Sequence, residues 1–120
     1  MYVVATPVFS EHLVSTGSTT AGNQLASEST SAPVQMQGNH VAVAALVHNI
    51  DASSTLTFGL QGSYDGSAWE AIGSTFTKNT FGYESGTFAD VDYALVRLAL
   101  TVTGTNVSAL VSATLSFSAQ

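Results

Sequence analysis

Cysteine is absent from this 120-residue sequence, and basic residues are almost absent. Without cysteine there is no disulfide, no thiolate metal site and no cysteine nucleophile. Lys78 and Arg97 are the only lysine and arginine, and the formal net charge is −6. Proteins that bind DNA or RNA concentrate basic residues to neutralise phosphates, and anionic membrane surfaces attract basic segments. The composition therefore argues against direct binding of nucleic acid or of an anionic membrane.

Long apolar runs are also missing, because no stretch approaches the ~20 residues that a membrane helix needs. The first residues carry no basic segment, so we expect no signal peptide. Charged residues make up 8% of the chain, against about 25% in an average soluble domain. Hydroxyl, amide and glycine residues supply the remaining polarity. Such a weakly charged surface tolerates dense packing against neighbouring subunits, although drift in a secreted or viral protein explains it equally well.

The apolar residues that are present alternate along the second half of the chain. From Val107 to Ser118 apolar and hydroxyl residues alternate, with Leu110 as the one exception. A strand with one buried face has this period of two. Thr55–Gly62 shows the same alternation, Tyr93–Thr103 has one apolar and one mixed face, and Val41–Ile50 is apolar on both faces. The last pattern predicts a central strand.

Weaker strand signals and turn residues fill the rest of the chain. No window has a convincing period of 3.6 residues, so no helix is predicted. Many short strands separated by turns indicate one all-β domain over residues 1–120, an antiparallel β-sandwich or jelly roll. The weaker strands are predicted at Tyr2–Phe9, His12–Ser15, Val34–Gln37 and Ser74–Thr80.

The first third of the chain is patterned least. Thr16–Ala32 is almost wholly polar or small, with Leu25 as its only large apolar residue. A structureless loop of this length is unusual inside a compact domain. We therefore interpret residues 1–33 as either an N-terminal arm with a flexible linker, in which residues 1–15 pair with a neighbouring subunit, or a long surface loop.

The most distinctive motif runs from Leu60 to Trp69 and reads LQGSYDGSAW. Its Asp65-Gly66 pair predicts a tight turn, because aspartate accepts local backbone hydrogen bonds and glycine takes up the left-handed conformation. One interpretation is a turn with Trp69 folded back onto the core as an aromatic plug. The other is a ligand-facing loop in which Tyr64 and Trp69 stack on a sugar ring.

This motif, followed later by the strand Tyr93–Leu98, resembles two kinds of β-sandwich over roughly Val41 to Ser118. One is the discoidin-like carbohydrate- and lipid-binding module, which is usually longer and often closed by disulfides. The other is a group of small virion proteins of tailed bacteriophages that includes capsid decoration proteins. The low charge and the Ser/Thr/Ala-rich composition fit the phage group better, and this resemblance implies a virion location.

Motifs for catalysis or for a cofactor are not found. The three histidines form no short-spaced pair and no H-E-x-x-H pattern, and there is no G-x-S-x-G elbow or phosphate-binding glycine loop. We therefore expect a protein that is not an enzyme and needs no cofactor. Glu84, Asp90 and Asp92 are close in sequence, and three carboxylates near a loop can begin a calcium site, although acidic loop residues are more often only solvated.

Two functional hypotheses follow. In the first, the chain decorates or cements a phage capsid by non-covalent contacts with the major capsid protein, as a homo-oligomer and most simply a trimer at three-fold positions. Its contacts are the N-terminal segment and exposed strand edges; a tail or fibre component is a variant of this hypothesis. In the second, the chain is a carbohydrate-binding module with Tyr64 and Trp69 as its stacking platform. Tyr64, Asp65 and Trp69 are the predicted ligand or partner contacts. A buried Trp69 favours the first hypothesis and an exposed one favours the second.

Overall fold

A computed structural model describes residues 3–15, 25–51, 54–104 and 108–119. These ranges contain nine β-strands and no helix, which confirms the all-β prediction. Nowhere in them does a helix have the length and apolarity that a membrane crossing needs. The strands are β1 (Val3–Ser15), β2 (Leu25–Thr30), β3 (Val34–Gln35), β4 (His40–Ile50), β5 (Thr55–Ser63), β6 (Glu70–Lys78), β7 (Gly82–Phe88), β8 (Leu95–Gly104) and β9 (Ser108–Ser118).

The strands form two antiparallel sheets that pack face to face. Sheet I has the order β1-β9-β4-β7, and sheet II has the order β2-β8-β5-β6, with β3 also paired to β8. Every consecutive connection apart from β2–β3 and β5–β6 crosses from one sheet to the other. When β2 and β3 are taken as one interrupted strand, eight strands in this order make a jelly roll. The predicted β-sandwich is therefore confirmed.

The interruption between β2 and β3 has a local cause. Pro33 has no N–H group and cannot donate to the ladder of β8. Ser31 keeps the chain attached to β8: its N–H donates to the Leu98 carbonyl at 2.9 Å, and the Leu98 N–H donates to the Ser31 hydroxyl at 3.0 Å. The buried hydroxyl thus takes the place of a strand partner.

The core consists of the inward faces of both sheets. Because side chains alternate along a strand, every second side chain of each strand points into this layer, which is about 10 Å thick. Phe58 is fully buried in it and stacks on Phe76, with ring centroids 4.9 Å apart. The other large side chains that are fully buried are Phe117, Leu56, Leu60, Leu98, Leu100, Leu115, Val41, Val43, Val47 and Val96.

Two phenylalanines interlock the sheets where edge strands β6 and β7 meet. A methyl group added to Gly86 of sheet I would lie 2.8 Å from the Phe76 ring of sheet II. A methyl group added to Gly73 of sheet II would lie 3.0 Å from the Phe88 ring of sheet I. Each ring therefore lies over a glycine of the opposite sheet, and the absence of a side chain there lets the sheets approach.

The four most clearly patterned strands of the prediction are confirmed as β4, β5, β8 and β9, and β4 is central in sheet I as predicted. The first third is more regular than expected. The two weak strands before residue 16 are one strand, β1, which pairs with β9 of the same chain through two register shifts. Strand β2 lies inside the segment predicted to lack structure, and β7 was not predicted. Residues 16–24 lie outside the described residues.

Two glycines of β5 make a matched test of this packing. A methyl group at Gly62 would lie 2.5 Å from the Tyr93 ring, whereas one at Gly59 meets only a Thr75 methyl group at 3.4 Å. We expect Gly62→Ala to lower the free energy of unfolding by about 1–3 kcal/mol through overpacking. Gly59→Ala should leave it unchanged or raise it by about 0.4–1 kcal/mol, because alanine restricts the unfolded chain.

Urea unfolding followed by far-ultraviolet circular dichroism measures both free energies. Equal effects of the two substitutions would contradict the described packing of Tyr93 on Gly62.

Candidate functional site

The loop after β5 is organised by Asp65. One carboxylate oxygen, Oδ1, accepts hydrogen bonds from the N–H groups of Ser67 and Ala68 at 2.8 and 3.1 Å and from the Ser63 hydroxyl at 3.1 Å. The Ser63 hydroxyl oxygen in turn accepts from the Gly66 N–H at 2.8 Å. Gly66 has a φ of +82°, as the predicted tight turn requires. Asp65 thus bonds to its own loop, and this set of contacts gives it a structural role.

Tyr64 projects from this loop and packs against Tyr93. It is 67% exposed, and the two ring centroids are 4.9 Å apart. The Tyr93 hydroxyl donates to the Glu70 carboxylate at 2.8 Å. That hydrogen bond stabilises the protonated phenol and raises the pKa of Tyr93 above 10.0. Tyr93 is therefore held as a donor to Glu70, with Tyr64 lying against its ring.

Trp69 makes a different contact, with Arg97. The Arg97 guanidinium carbon lies 4.2 Å from the centroid of the Trp69 ring, which is a cation–π geometry. The Arg97 Nε–H donates to Gln61 Oε1 at 2.7 Å. Gln61 and Arg97 are register partners on β5 and β8. We name Gln61, Trp69 and Arg97 the Arg97 cluster.

The predicted trio of Tyr64, Asp65 and Trp69 is thus divided among three roles. No ring contact between Tyr64 and Trp69 occurs in the described chain, since each ring packs on a different partner. Trp69 is half-buried and lies outside the hydrophobic core cluster. The aromatic plug on the core was therefore wrong, and a fully exposed ring was wrong as well. Arg97, which the sequence marks only as the sole arginine, is the residue that links Trp69 to sheet II.

A shallow groove lies beside the Arg97 cluster on the outer face of sheet II. Its volume is about 120 Å³. Small residues, three threonines and the apolar Leu60 and Ile72 line it, and Gln61 belongs both to this lining and to the Arg97 cluster. Its lining includes Gly59, Ala71, Ala99, Thr57, Thr75 and Thr101.

The outer face of sheet I differs from that of sheet II, because a line of large apolar side chains runs across its four strands. Leu13 pairs with Leu110, and Leu46 pairs with Tyr83. Leu110 and Leu46 are diagonal neighbours, since Leu46 pairs with Ser112 two residues along β9. Leu13 is 60% exposed and Tyr83 is 75% exposed. We name these four residues the apolar row. The break in alternation at Leu110 was the sequence signal for it.

The rest of this face is small and uncharged. Between the core positions of β4, β7 and β9 it presents alanine, serine and threonine side chains, together with His48, which contacts the Ser112 hydroxyl at 2.8 Å. No aspartate, glutamate, lysine or arginine stands on it among the side chains that the structure describes. Phe81, which is 77% exposed, precedes β7 at the end of the sheet where Tyr83 lies.

The calcium hypothesis finds no support in the described side chains. They contain no group of three or more aspartate, glutamate or histidine residues placed to hold a metal ion. Glu84 lies on β7, whereas Asp90 and Asp92 lie in the loop before β8.

Comparison with known proteins identifies fold relatives. No family model and no curated protein sequence matches the chain. The carbohydrate-binding module TmCBM61, solved in complex with β-1,4-galactotriose, is similar with a TM-score of 0.53 and 11% identity. The match covers 80% of this chain and 65% of that one, so the chain spans less than two thirds of the module's length. At this identity the likeness is one of β-sandwich fold alone.

Two more distant structures belong to the same comparison. A chain of infectious bursal disease virus, Gx strain, has a TM-score of 0.49 and 12% identity, with 97% of this chain and 32% of that chain covered. PirA has a TM-score of 0.43 and 10% identity, with 95% and 92% covered.

The Asp65 turn gives a pH-dependent prediction. Its hydrogen bonds, led by that from Ser67, lower the pKa of Asp65 below 3.8 in the folded protein. A carboxyl group whose pKa is lowered by folding stabilises the fold above its unfolded pKa and loses this effect as the pH falls through the folded pKa. We expect Asp65→Asn to lower the urea midpoint at pH 7, and the difference from wild type to shrink below about pH 4.

Urea titrations across this pH range measure the difference. Asp92→Asn removes the same charge from another exposed loop and should change the midpoint less at pH 7. A difference between wild type and Asp65→Asn that persists unchanged to pH 2 would argue against the hydrogen-bonded carboxylate.

Proposed function

We propose that the chain is a structural virion protein that decorates or cements a phage capsid as a homo-oligomer, with no catalytic role. The observation that carries the proposal is the apolar row on an otherwise uncharged outer face of sheet I. The sequence resemblance to phage virion proteins supports it. Jelly rolls occur in both viral capsid and lectin domains, so the surface of the chain, and not its fold, supports the virion role.

The outer face of sheet I suits a lasting protein contact. Contiguous exposed apolar side chains mark interaction surfaces, and docking here removes no described ionic side chain from water, which would be costly. Four strands about 4.8 Å apart and about eight residues long make a flat area of roughly 500 Å². A standard interface takes about 800 Å² of accessible surface from each partner, so this face supplies most of one.

The proposed mechanism is mechanical. A protein that binds the assembled shell and not its separated subunits shifts the equilibrium toward the shell. Burying a leucine or tyrosine side chain contributes about 1.5–3 kcal/mol. The same contact repeated over the surface of a capsid therefore resists the pressure of packaged DNA. A tail or fibre component would use this face in the same way.

The carbohydrate-binding alternative receives less support from the geometry. TmCBM61 was solved with a galactotriose, and a stacked sugar needs an open aromatic face. Arg97 covers one face of Trp69, and Tyr64 lies against Tyr93. The two predicted stacking residues therefore do not form one platform. The structural role is favoured over a sugar-stacking role for this reason.

Two exposed tyrosines allow a matched test of the docking face. Tyr83→Ser and Leu13→Ser remove apolar surface from the face, and each should weaken attachment by about 1–2 kcal/mol, or roughly tenfold. Tyr64→Ser removes a similar ring from the end of sheet II and should leave attachment unchanged. The measurement is binding of each purified variant to virions stripped of this protein, followed by gradient sedimentation.

Antibody labelling of the gradient fractions tests the proposal itself. The wild-type protein should travel with particles, and labelling by electron microscopy then separates capsid from tail. Sedimentation equilibrium of the free protein tests the expected trimer. Absence of the protein from every particle fraction would reject the virion role, and equal loss of attachment in all three variants would reject the docking face.

A further inference from the structure

Arg97 is held in place without a carboxylate partner among the described side chains. Its contacts are the ring of Trp69 and the amide oxygen of Gln61. In a chain with a formal net charge of −6 and only one arginine, a guanidinium that meets none of the described carboxylates is unusual. The positive charge of Arg97 is therefore available to an anionic ligand.

The two contacts prepare Arg97 for that use. Of the five N–H donors of a guanidinium, only the Nε–H is given to Gln61. The planar fork of an arginine matches a carboxylate through two parallel hydrogen bonds. Stacking on Trp69 restricts the side chain, which reduces the ordering that a ligand would otherwise impose. The side chain is thus oriented before anything binds.

The groove on sheet II extends from this cation. Arg97 pairs with Gln61, and in the next outward row Ala99 pairs with Gly59. Positions two apart on a strand are separated by about 6.8 Å, so the floor of the groove begins at that distance from the Arg97 row. Beyond it Thr101 pairs with Thr57. A ligand on Arg97 therefore meets the small residues Gly59 and Ala99 and then a pair of threonine residues.

The residues along the groove indicate which class of ligand fits it. The volume of about 120 Å³ is several times the roughly 10–15 Å³ that one water needs on the same measure, so part of one sugar unit can lie in the groove. The threonine hydroxyls and the Gln61 amide can exchange hydrogen bonds with sugar hydroxyls. The lining offers no deep apolar cavity for a peptide side chain. The lining itself contains no lysine or arginine, so a doubly charged phosphate finds no cation there besides the adjacent Arg97.

We propose that the groove binds an acidic sugar unit, with the carboxylate of a uronic acid on Arg97 and its ring hydroxyls over Gly59 and Ala99. Recognition is by the fork and the hydroxyl groups, and Trp69 supports Arg97 without stacking on the sugar. The inference is independent of the virion role, because it concerns sheet II and the docking face is on sheet I.

Nuclear magnetic resonance titration of the full chain tests the site. The probes are methyl galactopyranosiduronate and methyl galactopyranoside, which differ only in a carboxylate against a hydroxymethyl group. We expect the acidic sugar to shift the Gln61, Ala99 and Thr101 signals and the Arg97 Nε–H signal, and to bind at least tenfold more tightly than the neutral sugar. Fluorescence of Trp69, the only tryptophan, should change in the same titration.

Three variants separate the site from general attraction. Arg97→Gln should abolish binding, and Arg97→Lys, which keeps the charge without the fork, should weaken it about tenfold. Lys78→Gln removes the only other basic side chain and should leave binding unchanged. Thermal unfolding of each variant confirms that it is folded. If Arg97→Gln does not fold, the comparison of Arg97→Lys with Lys78→Gln decides.

Three outcomes would overturn the inference. Equal binding of the acidic and neutral sugars would show that Arg97 does not recognise the carboxylate. Equal competition by acetate or inorganic phosphate would show an anion site without sugar recognition. Undiminished binding by Arg97→Lys would show that the site recognises only the charge of the ligand. None of these outcomes affects the particle-binding test of sheet I.

Discussion

Packing of the two sheets against each other is the interaction on which this molecule depends, because it assigns a direction to every strand residue. Inward positions must be apolar to fill a single layer about 10 Å thick, as Leu98 and Leu115 are. Outward positions, together with the loops and strand edges, are then the surface available for function. With 8% charged residues in the chain, those outward positions are mostly small or hydroxyl-bearing, so the few exceptions to this composition carry the functional information.

Strands β4, β5, β8 and β9 could be predicted because each has a neighbour on both sides and a strictly buried inner face. Edge strands show a weaker alternation of apolar and polar residues, because more of their side chains can remain exposed to water. Strand β7, with the sequence GYESGTF, has only Phe88 fully buried, and β2 in LASEST looks like a linker. Both were missed for this reason. Their pairing with β4 and β8 depends on contacts far along the chain, which local pattern does not contain.

The candidate sites also differ in whether the local sequence could predict them. The Asp65 turn was predictable because all its bonds run to residues within three positions. The Arg97 cluster was not, because it joins β5, β8 and the residue before β6, and only the register of sheet II brings these together. The apolar row needed the pairing of four strands. Its one visible sign was the leucine at position 110 in an otherwise alternating strand.

The two outer faces lie on opposite sides of a molecule measuring 49 × 29 × 21 Å, and this separation matters for function. A protein that docks through sheet I presents sheet II to the solvent, because the core layer separates them. The uncharged face can then be buried permanently while the groove beside Arg97 stays accessible. The two proposed sites agree with this division: the apolar row of the proposed docking face gains from exclusion of water, whereas the proposed sugar site can work at a surface that remains wet.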